Sequence, residues 1–335
     1  MPATRQKKPD TRKPDSRKTD TRKPGGGKSE SGTKSSPAAK KGAARAPMAE
    51  PKPPFPKQRQ QPPGLESKLD PEPRWRGERY RPAGKLENMC AVITGGDSGI
   101  GRAVAYFYAR EGADVLITAL PEEESDAATV REAVEELGRK CVVMTGDLTD
   151  PQFCEEIIEK AVDEFGRIDV LVHNAAWQNR KAVTELPEDE LDRTLKTNVY
   201  AYLRLCRAAV PHMKPGSSII ATGSIVGLQG SERLTDYAAT KGAIHAVTMS
   251  LAKELKDKQI RANCIAPGPV WTPLNPSDTG FTPEDVSKFG DETGHSPMGR
   301  PAQPEEIAPA FVFMASNADS SFVNGVVLPI YGGPA

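Results

Sequence analysis

From about Asn88 onward, short apolar runs alternate with stretches in which apolar side chains recur every three or four positions. The runs cover residues 89–93, 114–118, 141–145, 168–172, 218–222, 260–265 and 326–330. Each is apolar on both alternating faces, the pattern of a strand buried on both sides. Between them lie helical patterns. One covers 101–111 and stops at Gly112; another opens on the acidic stretch 122–126, where carboxylates suit the positive end of a helix. Strands and helices in strict alternation predict an α/β fold, a doubly wound seven-stranded parallel sheet in three layers. In such a sheet, ligands bind at the carboxyl edge of the strands. Residues 85–335 are expected to form this single domain, with enough chain to bury a substantial core.

The pattern fails upstream. Residues 51–84 carry Pro53, Pro54, Pro56, Pro62, Pro63, Pro71 and Pro73, which remove helix and sheet options and favour an extended arm. Phe55, Trp75 and Tyr80 are large rings for such a stretch, so the arm is expected to pack on a folded surface, its own or a neighbour's. Residues 1–50 have almost nothing to bury. They contain the loose five-residue repeat D-T-R-K-P, D-S-R-K-T, D-T-R-K-P at 10–24, followed by Gly25–Gly27. A disordered, basic, solubilising tail is the expectation. A loose contact with nucleic acid or another polyanion is the alternative, opposed by the interleaved acids and the missing aromatics.

Composition sharpens this division. Hydrophobic residues make up 37% of the chain, and the deficit is confined to its start. The net charge of zero hides an asymmetry. Residues 1–60 hold 17 Lys and Arg against 5 Asp and Glu, leaving 28 against 40 for the rest. A cationic tail is thus joined to an acidic body. The five cysteines are scattered, without a C-x-x-C pair, which points to reduced thiols and a cytoplasmic location. No apolar run approaches 18 residues, and no secretory leader is visible. The histidines show no metal-ligand spacing, so no metal site is expected.

Two motifs carry chemistry. The first strand runs into Thr94-Gly95-Gly96-Asp97-Ser98-Gly99-Ile100-Gly101 and then a helix. Glycines there let the backbone approach a pyrophosphate seated on helix-terminal amides, the mark of a Rossmann-type dinucleotide site. The second is Tyr237-Ala238-Ala239-Thr240-Lys241, whose ends share one helix face. A phenol with a pKa near 10 needs cationic help to act as a base at neutral pH. Ser224 follows a strand's carboxyl end, where a hydroxyl could hold a substrate oxygen. Asn198 lies within a predicted helix.

With these residues in view, the chain from about Leu86 to Gly333 resembles the short-chain dehydrogenase/reductase family. The matching positions are Thr94, Gly95, Gly99 and Gly101, Asp147 in Gly-Asp-Leu, Asn174-Ala175, Asn198, Ser224, Tyr237, Lys241 and Pro267-Gly268. The Pro-rich arm, the string TGGDSGIG and the run 266–273 resemble a bacterial glucose/ribitol-dehydrogenase-like subgroup that includes aldehyde reductases. The resemblance implies an enzyme that interconverts an alcohol and a carbonyl with NAD or NADP. It implies that Tyr237 exchanges the proton and that Lys241 lowers the Tyr237 pKa and binds the nicotinamide ribose. Ser224 would position the carbonyl, and Asn198 would hold a water linking Lys241 to solvent. Gly95, Asp97, Ser98, Gly99, Ile100 and Gly101 would cradle the cofactor. Asp147 and Leu148 would meet the adenine, with Asn174, Ala175, Pro267, Gly268, Val270 and Thr272 completing the site. A homotetramer with arm 51–84 at subunit contacts is also implied.

Two positions depart from the family. His173 stands where an asparagine is usual, and a structural role is expected of it. The second strand ends in Thr118-Ala119-Leu120, with neither the acid typical of NAD binding nor a cation for a 2′-phosphate. Asp97 and the glutamates 122–124 should repel that phosphate, which favours NAD over NADP. The rival function is a dinucleotide-binding interaction protein that uses its basic tail.

Overall fold

The computed structural model describes residues 49–291 and 296–333. The tail 1–50 therefore lies outside the described residues except for its last two positions, as does His295.

Seven parallel strands form one sheet in the order β3-β2-β1-β4-β5-β6-β7. They are β1 (Cys90–Ile93), β2 (Asp114–Ala119), β3 (Cys141–Thr145), β4 (Ile168–His173), β5 (Met213–Thr222), β6 (Arg261–Pro267) and β7 (Val327–Ile330). The helices between them are α1 (Gly99–Arg110), α2 (Glu124–Glu135), α3 (Pro151–Phe165), α4 (Glu188–Leu195), α5 (Ala201–Ala209), α6 (Val226–Gln229), α7 (Thr235–Glu254), α8 (Pro283–Ser287), α9 (Pro304–Ala315) and α10 (Asn317–Ser320). The predicted strands are all present. β5 starts five residues before its expected boundary, because Pro215 and Gly216 read as a turn. Instead, Met213 pairs with Ile168 ahead of a register shift.

Strand alternation divides the core in two. Ala91, Ile93, Val115, Ile117 and Val172 face one way, onto α1, α2 and α9. Val92, Leu116, Leu171, Ile219 and Ala221 face the other, onto α3, α5 and α7. The chain order reverses between β1 and β4, and this switch opens a crevice at the carboxyl edge. All five cysteines are buried and free. Among the described residues, no helix is long and apolar enough to cross a membrane.

The arm's aromatic anchors pack on their own chain. Phe55 lies 4.3 Å from Trp271, Trp75 meets Tyr106 edge-on at 5.1 Å, and Tyr80 lies 4.5 Å from Phe107. Trp271 Nε1 donates to Pro71 O at 2.7 Å. These rings were the reason to place the arm against a neighbouring subunit, and they are already covered. The arm also reaches the crevice. The buried Glu66 carboxylate accepts from the amide of Gly99 at the start of α1. Arg102 faces Glu66 at 3.3 Å and Asp126 at 3.4 Å, and its Nε donates to Asp97 O at 2.7 Å. One buried guanidinium thus holds the arm, the glycine loop and α2 together.

Candidate active site

The glycine loop is shaped by steric necessity. Gly95 has φ +60°, and a Cβ there would sit 3.0 Å from Ala175 Cα. A Cβ on Gly101 would lie 1.9 Å from Gly95 O, so the first turn of α1 closes only without one. Thr94 Oγ1 accepts from the amides of Asn174 at 3.0 Å and Ala175 at 3.2 Å. Asn174 Nδ2 donates to Gly95 O at 2.9 Å, and Thr222 Oγ1 donates to Asn174 Oδ1 at 3.1 Å. The carboxyl ends of β1, β4 and β5 are thereby laced together. The result is a smooth cradle over the N-terminus of α1, which fits the phosphates of a dinucleotide.

α7 carries Tyr237 and Lys241 one turn apart, both buried. Ser224, just beyond β5, shares the cavity with the Tyr237 phenol and accepts from Val226 N at 3.3 Å. Lys241 Nζ lies 5.3 Å from the Tyr237 ring centre and donates to Thr222 O at 2.7 Å. Burial holds the phenol well above its usual range, opposed by the positive charge of Arg180 and by the Ser224 hydroxyl. Burial also draws the Lys241 ammonium down to about 8. Lys241 was expected to lower the Tyr237 pKa. Here desolvation outweighs the favourable charges, and Arg180 supplies the cationic pull. A neutral phenol is the form able to donate a proton to a carbonyl oxygen.

Asn198 departs from expectation. It lies in a π-helical turn, Lys196–Tyr200, between α4 and α5. Its side chain accepts from Trp177 N at 2.8 Å and donates to Trp177 O at 3.0 Å and Thr240 Oγ1 at 2.9 Å. These bonds take up the carboxamide's donors, so the side chain ties the loop after β4 to α7. Its main-chain carbonyl receives His173 Nε2 at 3.0 Å. Because a carbonyl only accepts, His173 carries its proton on Nε2. The ring stacks on Tyr202 at 5.1 Å. Burial, with the nearby Lys241 charge, pushes it down to about 3, so it is neutral at physiological pH. The imidazole thus joins β4 to the π turn in the asparagine's place.

One cavity of about 1380 Å³ joins these parts. Gly95, Asp97, Ser98, Gly99 and Ile100 form one end, with Asp147, Leu148, Asn174 and Ala175 beside them. Ser224, Tyr237, Lys241, Pro267, Gly268, Val270 and Thr272 line the rest. The volume exceeds the roughly 300–1,000 Å³ of a small-ligand cleft, leaving room for a dinucleotide and a second molecule. Thr94, Gly101 and Asn198 do not line it; they support residues that do. Asp97 contributes mainly backbone, since its carboxyl group is buried beside Arg102 and pushed up to about 6 by burial.

Three lining or supporting residues had no sequence signal of their own. They are Glu66, Trp177 and Arg180. Trp177 and Arg180 follow the carboxyl end of β4, so their position at the rim could have been read from topology alone.

Residues 95–334 match the family model described as enoyl-(acyl carrier protein) reductase, a short-chain dehydrogenase branch. The chain is a short-chain dehydrogenase/reductase. It is 44% identical over 286 residues to glucose and ribitol dehydrogenase of Daucus carota, covering 83% of this chain and 96% of that one. It is 43% identical over 277 residues to NADPH-dependent aldehyde reductase 1 of Arabidopsis thaliana, covering 81% and 94%. A short-chain dehydrogenase from Burkholderia cenocepacia, solved with NADP, superposes with a TM-score of 0.68 at 30% identity, covering 74% of this chain and 98% of that one. This dehydrogenase/reductase is therefore an NAD(P)-dependent oxidoreductase of the glucose/ribitol-dehydrogenase-like subgroup. The NADP in the solved neighbour gives no support to the expectation of NAD.

Proposed function

We propose that the enzyme interconverts an alcohol and a carbonyl in a small polyol, sugar or aldehyde, with Tyr237 moving the proton. The observation that carries this is the buried Tyr237 phenol, backed by Lys241 and opening with Ser224 onto the same cavity as the glycine loop. A bound nicotinamide supplies or accepts the hydride. Ser224 holds the substrate oxygen against Tyr237. Lys241 binds the nicotinamide ribose, and Asn198 fixes the loop that walls the site. Asp147 and Leu148 face the adenine, with Thr272 at the carboxamide. The assembly we propose is a homotetramer formed without the arm as its clasp. The half-exposed Tyr200, Leu203 and Met249 on the π turn, α5 and α7 offer an apolar face for it.

Between the two cofactors we propose NAD. Glu123 lies just past β2, where a doubly wound sheet receives the adenosine ribose. Its carboxyl group accepts from Leu120 N at 2.9 Å and is pushed up to about 8, chiefly by burial and then by Asp97. Arg193, the cation at this end of the cavity, faces the Asp147 carboxylate at 3.7 Å. A 2′-phosphate beside Glu123 meets a carboxylate above pH 8.

The assay is the oxidation of NADH and NADPH in the presence of short aldehydes. Turnover with at least one aldehyde is expected, with NADH preferred and the preference growing as pH rises through 8. Glu123→Gln is expected to narrow the preference by about tenfold, roughly 1.4 kcal/mol. No turnover with either cofactor would refute the activity. A preference for NADPH unchanged by Glu123→Gln would refute the cofactor assignment.

A further inference from the structure

Arg180 lies on the loop after β4, and its guanidinium is held in place. Nη1 donates to Asp278 Oδ2 at 2.5 Å, and Cζ lies 3.7 Å from the centre of the Phe281 ring. The backbone is fixed as well, since Arg180 N donates to Asp278 Oδ1 at 2.8 Å. Asp278 is fully enclosed and also accepts from Gln178 Nε2 at 3.1 Å and Gly280 N at 3.0 Å. The two loops meet so closely that a Cβ on Gly280 would lie 2.1 Å from Arg180 O.

This mounting uses one nitrogen of the guanidinium. Nε and Nη2 have no partner among the described residues, while the side chain is 18% exposed and lines the cavity that holds Ser224 and Tyr237. Its charge acts on the Tyr237 phenol, and both side chains line the same cavity. A preoriented, partly desolvated fork of N–H donors in the cavity of the proton-transfer group is built to receive oxygen. A plain alkyl chain in the same place would bury those donors without an acceptor, which is costly.

We propose that Arg180 binds an oxygen substituent on the carbon next to the reacting carbonyl, so that the site selects α-oxygenated carbonyl compounds over plain alkyl ones. The inference rests on the alcohol–carbonyl reading above and deepens it. The guanidinium would grip the neighbouring oxygen while Ser224 and Tyr237 hold the reacting one. Arg180 then sets specificity without taking part in the proton or hydride transfer.

The test compares glyceraldehyde with propanal, which share a three-carbon chain and differ in two hydroxyl groups. Wild-type kcat/KM is expected to favour glyceraldehyde by at least about tenfold. Arg180→Met alone would strand the buried Asp278 charge, so it is paired with Asp278→Asn. In that double variant glyceraldehyde is expected to lose about tenfold to a hundredfold, mostly in KM. Because a change at Tyr237 acts on both aldehydes alike, the ratio of their kcat/KM values is the readout, and it should fall at least about tenfold while dinucleotide affinity does not change. Arg180→Lys, which keeps the charge without the fork, is expected to fall in between. Equal losses for both aldehydes, or no wild-type preference between them, would overturn the assignment and leave the oxidoreductase reading standing. If the wild type consumes reduced cofactor with neither probe, nor with the other short aldehydes, the underlying reading fails instead.

Discussion

Tyr237→Phe is expected to leave the dinucleotide bound and to cut turnover by about 10²–10⁴-fold, the usual contribution of a positioned acid–base group. The substitution removes one hydroxyl and keeps the ring, so the packing against α7 survives. What is lost is the only proton donor that the site brings next to Ser224 among the described residues. Because burial keeps the phenol protonated, carbonyl reduction loses its acid. Dinucleotide affinity, followed by quenching of protein fluorescence, should change by less than about twofold. Turnover within tenfold of wild type would remove Tyr237 from the mechanism.

Arg102→Met should have the largest effect on stability. Arg102 is buried among Glu66, Asp97 and Asp126, which are themselves buried, and no other cation pairs with them among the described residues. Removing one side of a buried ion pair costs about 3–5 kcal/mol, because the other side stays behind uncompensated. At roughly 2–4 °C per kcal/mol for a domain of this size, a fall in Tm of about 10 °C is expected by calorimetry. The pH dependence has a definite sign. Glu66 is already pushed up to about 7 and Asp97 to about 6 by burial. A carboxyl group whose folded pKa is raised binds its proton more tightly in the folded state, so its stabilising effect is lost as pH rises through that value. The gap between variant and wild type should therefore widen from pH 5.5 to pH 8. Adding Glu66→Gln to the variant should recover part of the loss at pH 8. A Tm within about 2 °C of wild type at pH 8 would show that Arg102 does not hold the cluster.

The sheet was legible because β1, β2, β4 and β6 are apolar on both faces and end in glycine, polar or proline punctuation. The glycine loop and the Tyr237–Lys241 pair were legible for a different reason. Their geometry is local, so sequence spacing alone sets which groups share a turn or a helix face. Contacts between distant segments were not legible. Arg180 and Asp278 are 98 residues apart, and Glu66 meets Gly99 from a Pro-rich stretch whose pattern gives no sign of where its carboxylate goes. The bonds of Asn198 to the backbone of Trp177, 21 residues away, were likewise not legible. The same limit applies to Tyr237. A cation one helical turn away suggested a lowered pKa, whereas complete burial, which only the fold reveals, acts more strongly in the opposite direction.

The proposed chemistry depends on one meeting point, where a phenol, an ammonium and a nicotinamide converge at the edge of the sheet. A crystal structure of the full chain with NADH examines it most directly. The nicotinamide ribose is expected within hydrogen-bonding distance of Lys241 Nζ, with the ring beside the Tyr237 hydroxyl and the pyrophosphate over the amides that begin α1. A cofactor bound with its nicotinamide end away from Tyr237 would contradict the account.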